Sequence, residues 1–200
     1  MALHASIEAV KHANLTFDDG LKKQSGVYIG TGMGGILSVE DGYQTLYKNG
    51  ENRLKPYTVL MCMYNSAASA IATHFQISGP NLTFSTACSS SAVAIGQAYK
   101  DIQLGEIDTA LAGGTDAILA YASIKSWEAI RTLADEDTED ISASCKPFSA
   151  NRSGLVIGEG AATLVLEEYE QARARGATIY AEIVGYGAAN DYKHIAVPSV

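Results

Sequence analysis

Pro80-Asn81-Leu82-Thr83-Phe84-Ser85-Thr86-Ala87-Cys88-Ser89-Ser90-Ser91 is the stretch on which the reading of this chain turns. Gly79-Pro80 interrupts what precedes it, and Leu82 to Thr86 has the β-branched and aromatic content of a short strand. Ser89 to Gln103 brings Val93, Ile95, Tyr99 and Ile102 round at helical spacing, and Thr109 to Gly113 follows as a buried strand. The segment predicts a strand-helix-strand unit, and with it an α/β layered fold.

Upstream, Leu3, Ile7 and Val10 predict an amphipathic helix over 2–13, closed by the Asp18-Asp19-Gly20 turn. Gly26 to Thr31 reads as a strand entering the glycines Gly30, Gly32, Gly34 and Gly35, with a helix from Ile36 to Tyr47 after them. Leu60 to Phe75, rich in Ala, Met and Ser, reads as one tightly packed buried helix. Downstream, a helix is expected over Ser123 to Leu133, and Ala134 to Ser144, with five carboxylates and no periodicity, is expected to be an exposed loop. Strands at Ala161 to Glu167 and Ile179 to Gly185 then flank a helix from Glu168 to Arg175 that Gly176 stops.

A chain of 200 residues, 47% hydrophobic, supplies one substantial core and predicts a single domain over 1–200. The net charge of −8 disfavours nucleic acid or an anionic membrane as partner. An acidic protein partner would need a local basic patch, for which Lys48, Arg53 and Lys55 are the candidates; a solvated loop explains them equally well. Cys62, Cys88 and Cys145 are odd in number and widely spaced, which points to neither a disulfide framework nor a metal site. With no signal-like N-terminus and no apolar run of spanning length, the chain reads as soluble and cytoplasmic.

Cys88 lies where a strand hands over to a helix. Free N–H groups at a helix start favour a thiolate and can donate to the oxyanion formed when a thioester carbonyl is attacked. Ala87 and the three serines after the cysteine leave that turn uncrowded, as a nucleophile elbow requires. On the residues alone, a second reading stays open: a small buried hydrophobe. Cys62 reads as core and Cys145 as a loop thiol.

Gly30-Thr31-Gly32-Met33-Gly34-Gly35 satisfies the G-x-G-x-x-G pattern of a dinucleotide loop. The stretch where the acidic ribose-binding residue should follow, Tyr47 to Lys55, is polar and turn-like, so tight turning and close packing explain the glycines better. Between Lys146 and Gly160, Glu159 stands between two glycines beside a strand, with Arg152 as the nearest cation in sequence; a structural ion pair is the expectation. His4, His12, His74 and His194 have no motif around them.

Taken together, Thr86-Ala87-Cys88-Ser89-Ser90-Ser91, Ala112-Gly113-Gly114-Thr115-Asp116 and Pro147-Phe148 through Gly158-Glu159-Gly160, in that order, resemble the β-ketoacyl-acyl-carrier-protein synthases. The likeness extends to Gly30-Thr31-Gly32, Gly79-Pro80-Asn81, Leu164 to Glu168 and Arg175-Gly176-Ala177. It implies a thiolase-like fold, with a mixed five-stranded-type sheet carrying helices on both faces, incomplete at both ends relative to the family. It also implies ping-pong condensation in fatty-acid or polyketide synthesis, with Cys88 as nucleophile and backbone oxyanion donor and Met63 lining an acyl pocket. The partners implied are an acyl carrier protein, whose phosphopantetheine carries the substrate, and a second ketosynthase chain joined through Leu82 to Thr86 as a homodimer or heterodimer. No other cofactor and no metal are implied. The family's first strand, its two histidines and its second oxyanion donor have no counterpart in these residues, and Ser149 and Ser153 stand where aspartates are common. A non-catalytic or truncated thiolase-fold interaction protein is therefore the alternative expectation.

Overall fold

The computed structural model describes residues 1–195 and 199. Four strands form one open sheet in the order β2-β1-β3-β4: β1 (Ser25–Gly30), β2 (Asn81–Phe84), β3 (Thr109–Asp116) and β4 (Gly160–Glu167). The first three are parallel, and β4 runs antiparallel to β3. Gly30 is level with Phe84 on one side and Gly114 on the other, so the parallel pairings end together, and β3 runs on to Asp116 against β4. The expected mixed layered architecture is present, with four strands among the described residues rather than five.

Alternation along the inner strands sorts side chains to two buried faces. Val27, Ile29 and Leu111 pack with α1 (Ala2–His12) and with Ala68, Ile71 and Ala72 of a later helix. Tyr28, Ala110 and Ala112 face Ala94 and Ala98 on the opposite side. Each fully buried Ile or Leu contributes about 1.5–3 kcal/mol of transfer free energy. Burial and the neighbouring Asp101 carboxylate push the Tyr28 phenol up, and its hydroxyl donates to Asp101 at 2.6 Å.

α1 places Ala2, Ser6 and Val10 on one buried stripe and ends at His12, where Asn14 takes φ +48°. The Asp18 turn does not close this helix; Asp18 Oδ1 instead accepts the N–H groups of Gly20 and Leu21, which builds the approach to β1. After β1, α2 (Ile36–Tyr43) runs into a wider turn at Gln44–Lys48, much as expected.

The single buried helix expected over Leu60 to Phe75 is two helices, α3 (Thr58–Cys62) and α4 (Ser66–Phe75). Met63 is extended between them, and the Ser66 hydroxyl bonds the Leu60 carbonyl. A serine side chain competes for backbone groups, and the bond of Ser66 back to Leu60 marks the break in the helix despite its alanines. Only α4 is buried; Val59, Leu60 and Met61 of α3 are exposed.

α5 (Ser90–Gln103) crosses between β2 and β3, and α6 (Tyr121–Ala129) follows β3. The acidic loop is built around Asp137, which binds Lys146 at 2.7 Å and accepts the N–H groups of Glu139 and Asp140. After β4, Glu168 caps α7 (Tyr169–Ala174) by accepting from Gln171 N, and Gly176 at φ +73° ends it.

The strand expected over Ile179 to Gly185 does not form. Tyr180 Oη lies 3.1 Å from His12 Nε2 on the α1 face, whereas the Tyr186 ring packs on Gly96 of α5 on the other face. The five residues between them thus pass from one side of the sheet to the other, a path with no strand alongside among the described residues with which to build a ladder.

Candidate active site

Five residues, Ser85 to Ser89, connect β2 to α5, and the exposed Cys88 stands near their end. Ala87 supplies the sharp bend with φ +53°, uncommon for a residue with a Cβ. The Ser90 hydroxyl accepts from Thr86 N at 2.8 Å and donates to the Ala87 carbonyl at 2.6 Å, while the Ser89 hydroxyl donates to the Thr86 carbonyl at 2.7 Å. These bonds hold the backbone on both sides of the bend and leave the thiol outside.

Glycines seat this turn on the sheet. A Cβ on Gly30 would come within 2.2 Å of the Ser90 carbonyl carbon, and one on Gly114 within 2.6 Å of Ser91 Cβ. The start of α5 therefore rests directly on β1 and β3, at the carboxyl ends of the parallel strands, where α/β folds place their ligand sites. Cys88 opens there on a cavity of about 550 Å³ whose walls include Ser91, Ile95, Gly114, Ala162 and Leu164. None of the residues lining it is a histidine.

Asp116, at the end of β3, lines the same cavity and fills the glycine loop. Its carboxylate accepts Thr31 Oγ1 at 2.9 Å, Gly32 N at 2.9 and 3.1 Å, and Met33 N at 3.0 Å. A phosphate would need those same donors. The dinucleotide reading of Gly30 to Gly35 fails for this reason: the chain supplies its own anion.

The remaining expected residues are dispersed. Arg152 and Glu159 do not pair; Arg152 Nη1 donates to the Ser149 carbonyl at 2.8 Å, and Glu159 accepts Leu119 N at 2.9 Å. Both side chains are exposed, so no desolvation cost drives them together. Met63 lies half-exposed at the α3–α4 break and is not part of the cavity wall beside Cys88. Cys62 is partly buried and Cys145 exposed. Lys55 of the suggested basic patch pairs with Asp41 at 2.7 Å.

Two residues of the site carried no role in the sequence reading. Ser90 was one of three small serines, and Asp116 the end of a glycine-rich strand. An aspartate closing a buried apolar strand was the available signal for the second, since such a group must find donors. Among the described residues, no three or more His, Cys, Asp or Glu side chains gather as a metal site, and no helix is long and apolar enough to cross a membrane.

An exposed thiol at a strand-to-helix bend, beside backbone N–H groups and a cavity at the sheet's carboxyl edge, is equipped for nucleophilic attack on an acyl carbonyl. Comparison with known proteins identifies the family. Residues 1–172 match the family model described as "Beta-ketoacyl synthase, N-terminal domain". The chain is 40% identical over 198 residues to 3-oxoacyl-[acyl-carrier-protein] synthase 2 of Staphylococcus aureus (strain N315), a match covering 99% of this chain and 47% of that protein. Among solved structures, it superposes with a TM-score of 0.89 and 34% identity on a chain of the complex described as a type II PKS acyl-carrier protein with its ketosynthase bound to the hexaketide. That match covers 96% of this chain and 48% of the other. A β-ketoacyl synthase from Burkholderia phymatum gives a TM-score of 0.84 and 33% identity, over 98% of this chain and 48% of the other. The chain spans about half the length of the curated relatives it matches.

Proposed function

The chain belongs to the β-ketoacyl synthase family, and from that premise we propose that Cys88 is the nucleophile that receives an acyl group from a carrier-bound thioester. The Cys88 thiolate attacks the thioester carbonyl carbon, and the tetrahedral oxyanion is held by the Cys88 N–H. Collapse expels the carrier's phosphopantetheine thiolate, which takes up a proton, and leaves the acyl group on Cys88 Sγ. In condensation, the carbanion left when a malonyl thioester loses CO₂ attacks this acyl carbonyl and frees Cys88. The observation that carries this reading is the exposed Cys88 on the strained Ala87 bend, at the carboxyl ends of three parallel strands.

An acyl carrier protein is the proposed donor; a neighbour 34% identical to this chain is a ketosynthase in complex with one. We read 1–200 as one domain of the N-terminal type, and Met63 as an acyl-pocket residue acting from outside the Cys88 cavity. The edge strand β2, with Leu82 41% exposed, is the proposed seam with a second ketosynthase chain. The position proposed for Arg152 and Glu159 is structural, each holding a backbone group of the loops beside β4.

A non-catalytic interaction role is the second reading. It is favoured by the absence of histidine from the cavity wall and by the exposed apolar side chains of α3. Labelling with an α,β-epoxy amide separates the two. Selective modification of Cys88, abolished by Cys88→Ala, supports the nucleophile; native labelling spread equally over Cys62, Cys88 and Cys145 refutes it.

A further inference from the structure

We propose that Ser90 is the positioning residue for Cys88, its buried hydroxyl locking the left-handed bend at Ala87 that aims the thiol. The proposal rests on the reading of Cys88 as the nucleophile. Ser90 is only 3% exposed although its side chain is polar, and it is the first residue of α5. A hydroxyl has one proton to give. The Ala87 carbonyl at 2.6 Å takes it in preference to the Thr31 carbonyl at 3.4 Å, and Thr86 N donates to Ser90 Oγ at 2.8 Å. The Ala87 carbonyl also accepts Ser90 N at 3.1 Å. Two bonds from one residue thus fix the Ala87 peptide immediately before Cys88.

That fixing is needed because φ +53° at Ala87 is opposed by a Cβ clash of about 1–2 kcal/mol. Ser90 itself has no room to drift, because its main chain lies where a Gly30 Cβ would sit. The bend is therefore referenced to β1 through Ser90. Ser89 is placed differently: its exposed hydroxyl bonds Thr86, at the carbonyl and the side chain, and so holds the peptide before Ala87 and not the one between Ala87 and Cys88. Without the Ser90 hydroxyl, Thr86 N–H loses its acceptor and Ala87 can relax toward negative φ, which swings Cys88 away from the cavity.

The test compares the rates at which iodoacetamide alkylates Cys88 and Cys145 in the same native chain, read by peptide mass spectrometry. Cys145 is an exposed reference outside the bend; general unfolding brings the ratio toward one and shows as lost circular dichroism, whereas a misdirected Cys88 lowers the ratio in a chain that stays folded. Ser90→Ala is expected to lower the Cys88-to-Cys145 ratio about tenfold, while Ser90→Thr keeps it within about twofold. Ala87→Gly in the Ser90→Ala background is expected to recover most of the loss, since glycine adopts the bend without strain. A wild-type ratio above one that Ser90→Ala leaves unchanged overturns the role of Ser90 and spares that of Cys88. So does a double variant that does not recover the ratio, or that stays unfolded where Ser90→Ala is unfolded. A wild-type ratio of one or less overturns both.

Discussion

The carboxylate of Asp116 accepts the Gly32 N–H through both of its oxygens, at 3.1 and 2.9 Å, although 84 residues separate the two in sequence. The same group takes Thr31 and Met33, so one side chain at the end of β3 organises the whole loop after β1. Hydrogen bonds to a charged acceptor contribute about 1.5–3 kcal/mol each, less where water competes. Asp116→Ala is therefore expected to cost about 2 kcal/mol, seen as a lower urea midpoint with an unchanged slope. Titration of the wild-type chain with NADH is expected to show no binding, the loop's donors being occupied.

Arg175 forms a two-pronged pair with Glu167, at 2.8 and 2.5 Å, and donates to the Ala13 carbonyl at 3.0 Å. It thereby ties the end of β4 to the end of α1, and the motif Arg175-Gly176-Ala177 acquires a structural meaning. Glu167 is only 12% exposed, so Arg175→Ala strands a nearly buried carboxylate. The expected loss is about 2 kcal/mol, with partial recovery in Arg175→Lys because an ammonium cannot reproduce the fork. Equal stability of the three proteins in thermal melts contradicts this.

Acid titration bears on Asp137. The Lys146 ammonium, followed by the N–H groups of Asp140 and Glu139, lowers its carboxyl to about 2. Its unfolded value is about 3.9, so the pair stabilises the fold fully above about pH 4 and ceases to do so as pH falls through about 2. The stability gap between wild type and Asp137→Asn should be constant from neutral pH to about pH 4 and close below it. A gap that closes on raising the pH instead contradicts the assignment.

Gly30 and Gly158 make opposite predictions for the same substitution. An alanine Cβ at 30 meets the Ser90 backbone at 2.2 Å, whereas nothing lies within 4 Å of one at 158. Gly30→Ala must lift α5 from β1 and is expected to cost about 3 kcal/mol or more and to slow Cys88 labelling. Gly158→Ala is expected to stay within about 0.5 kcal/mol of wild type and to label normally. Comparable labelling by both variants contradicts the seating of the bend.

What the sequence disclosed follows from how local each cause is. The strands at Val27 to Ile29 and Leu82 to Phe84 and the α5 helix rest on short-range periodicity, and the Cys88 bend follows from their junction. The break at Met63 to Asn65 was hidden because its cause is a single side-chain-to-backbone bond inside an otherwise helix-forming composition. Residues 179–185 share the alternation of a strand, yet whether a ladder forms depends on having a neighbour, which periodicity does not report. Charge pairing misled at Glu159, whose partner is a backbone N–H 40 residues away. At Asp116 the end of a buried strand signals a group in need of donors, but periodicity does not say that they belong to a loop more than 80 residues away in sequence.

Mixing the chain with an acyl-[acyl-carrier-protein] thioester and recording its intact mass, with and without Cys88→Ala, tests the acyl-acceptor role most directly. The predicted result is a gain equal to the acyl group, located on the Cys88 peptide and missing from the variant. With a malonyl carrier added, no β-ketoacyl product is expected from residues 1–200 alone, because no histidine lines the Cys88 cavity. A wild-type mass unchanged after prolonged incubation with folded protein, or equal acylation of the Cys88→Ala variant, would contradict the central claim.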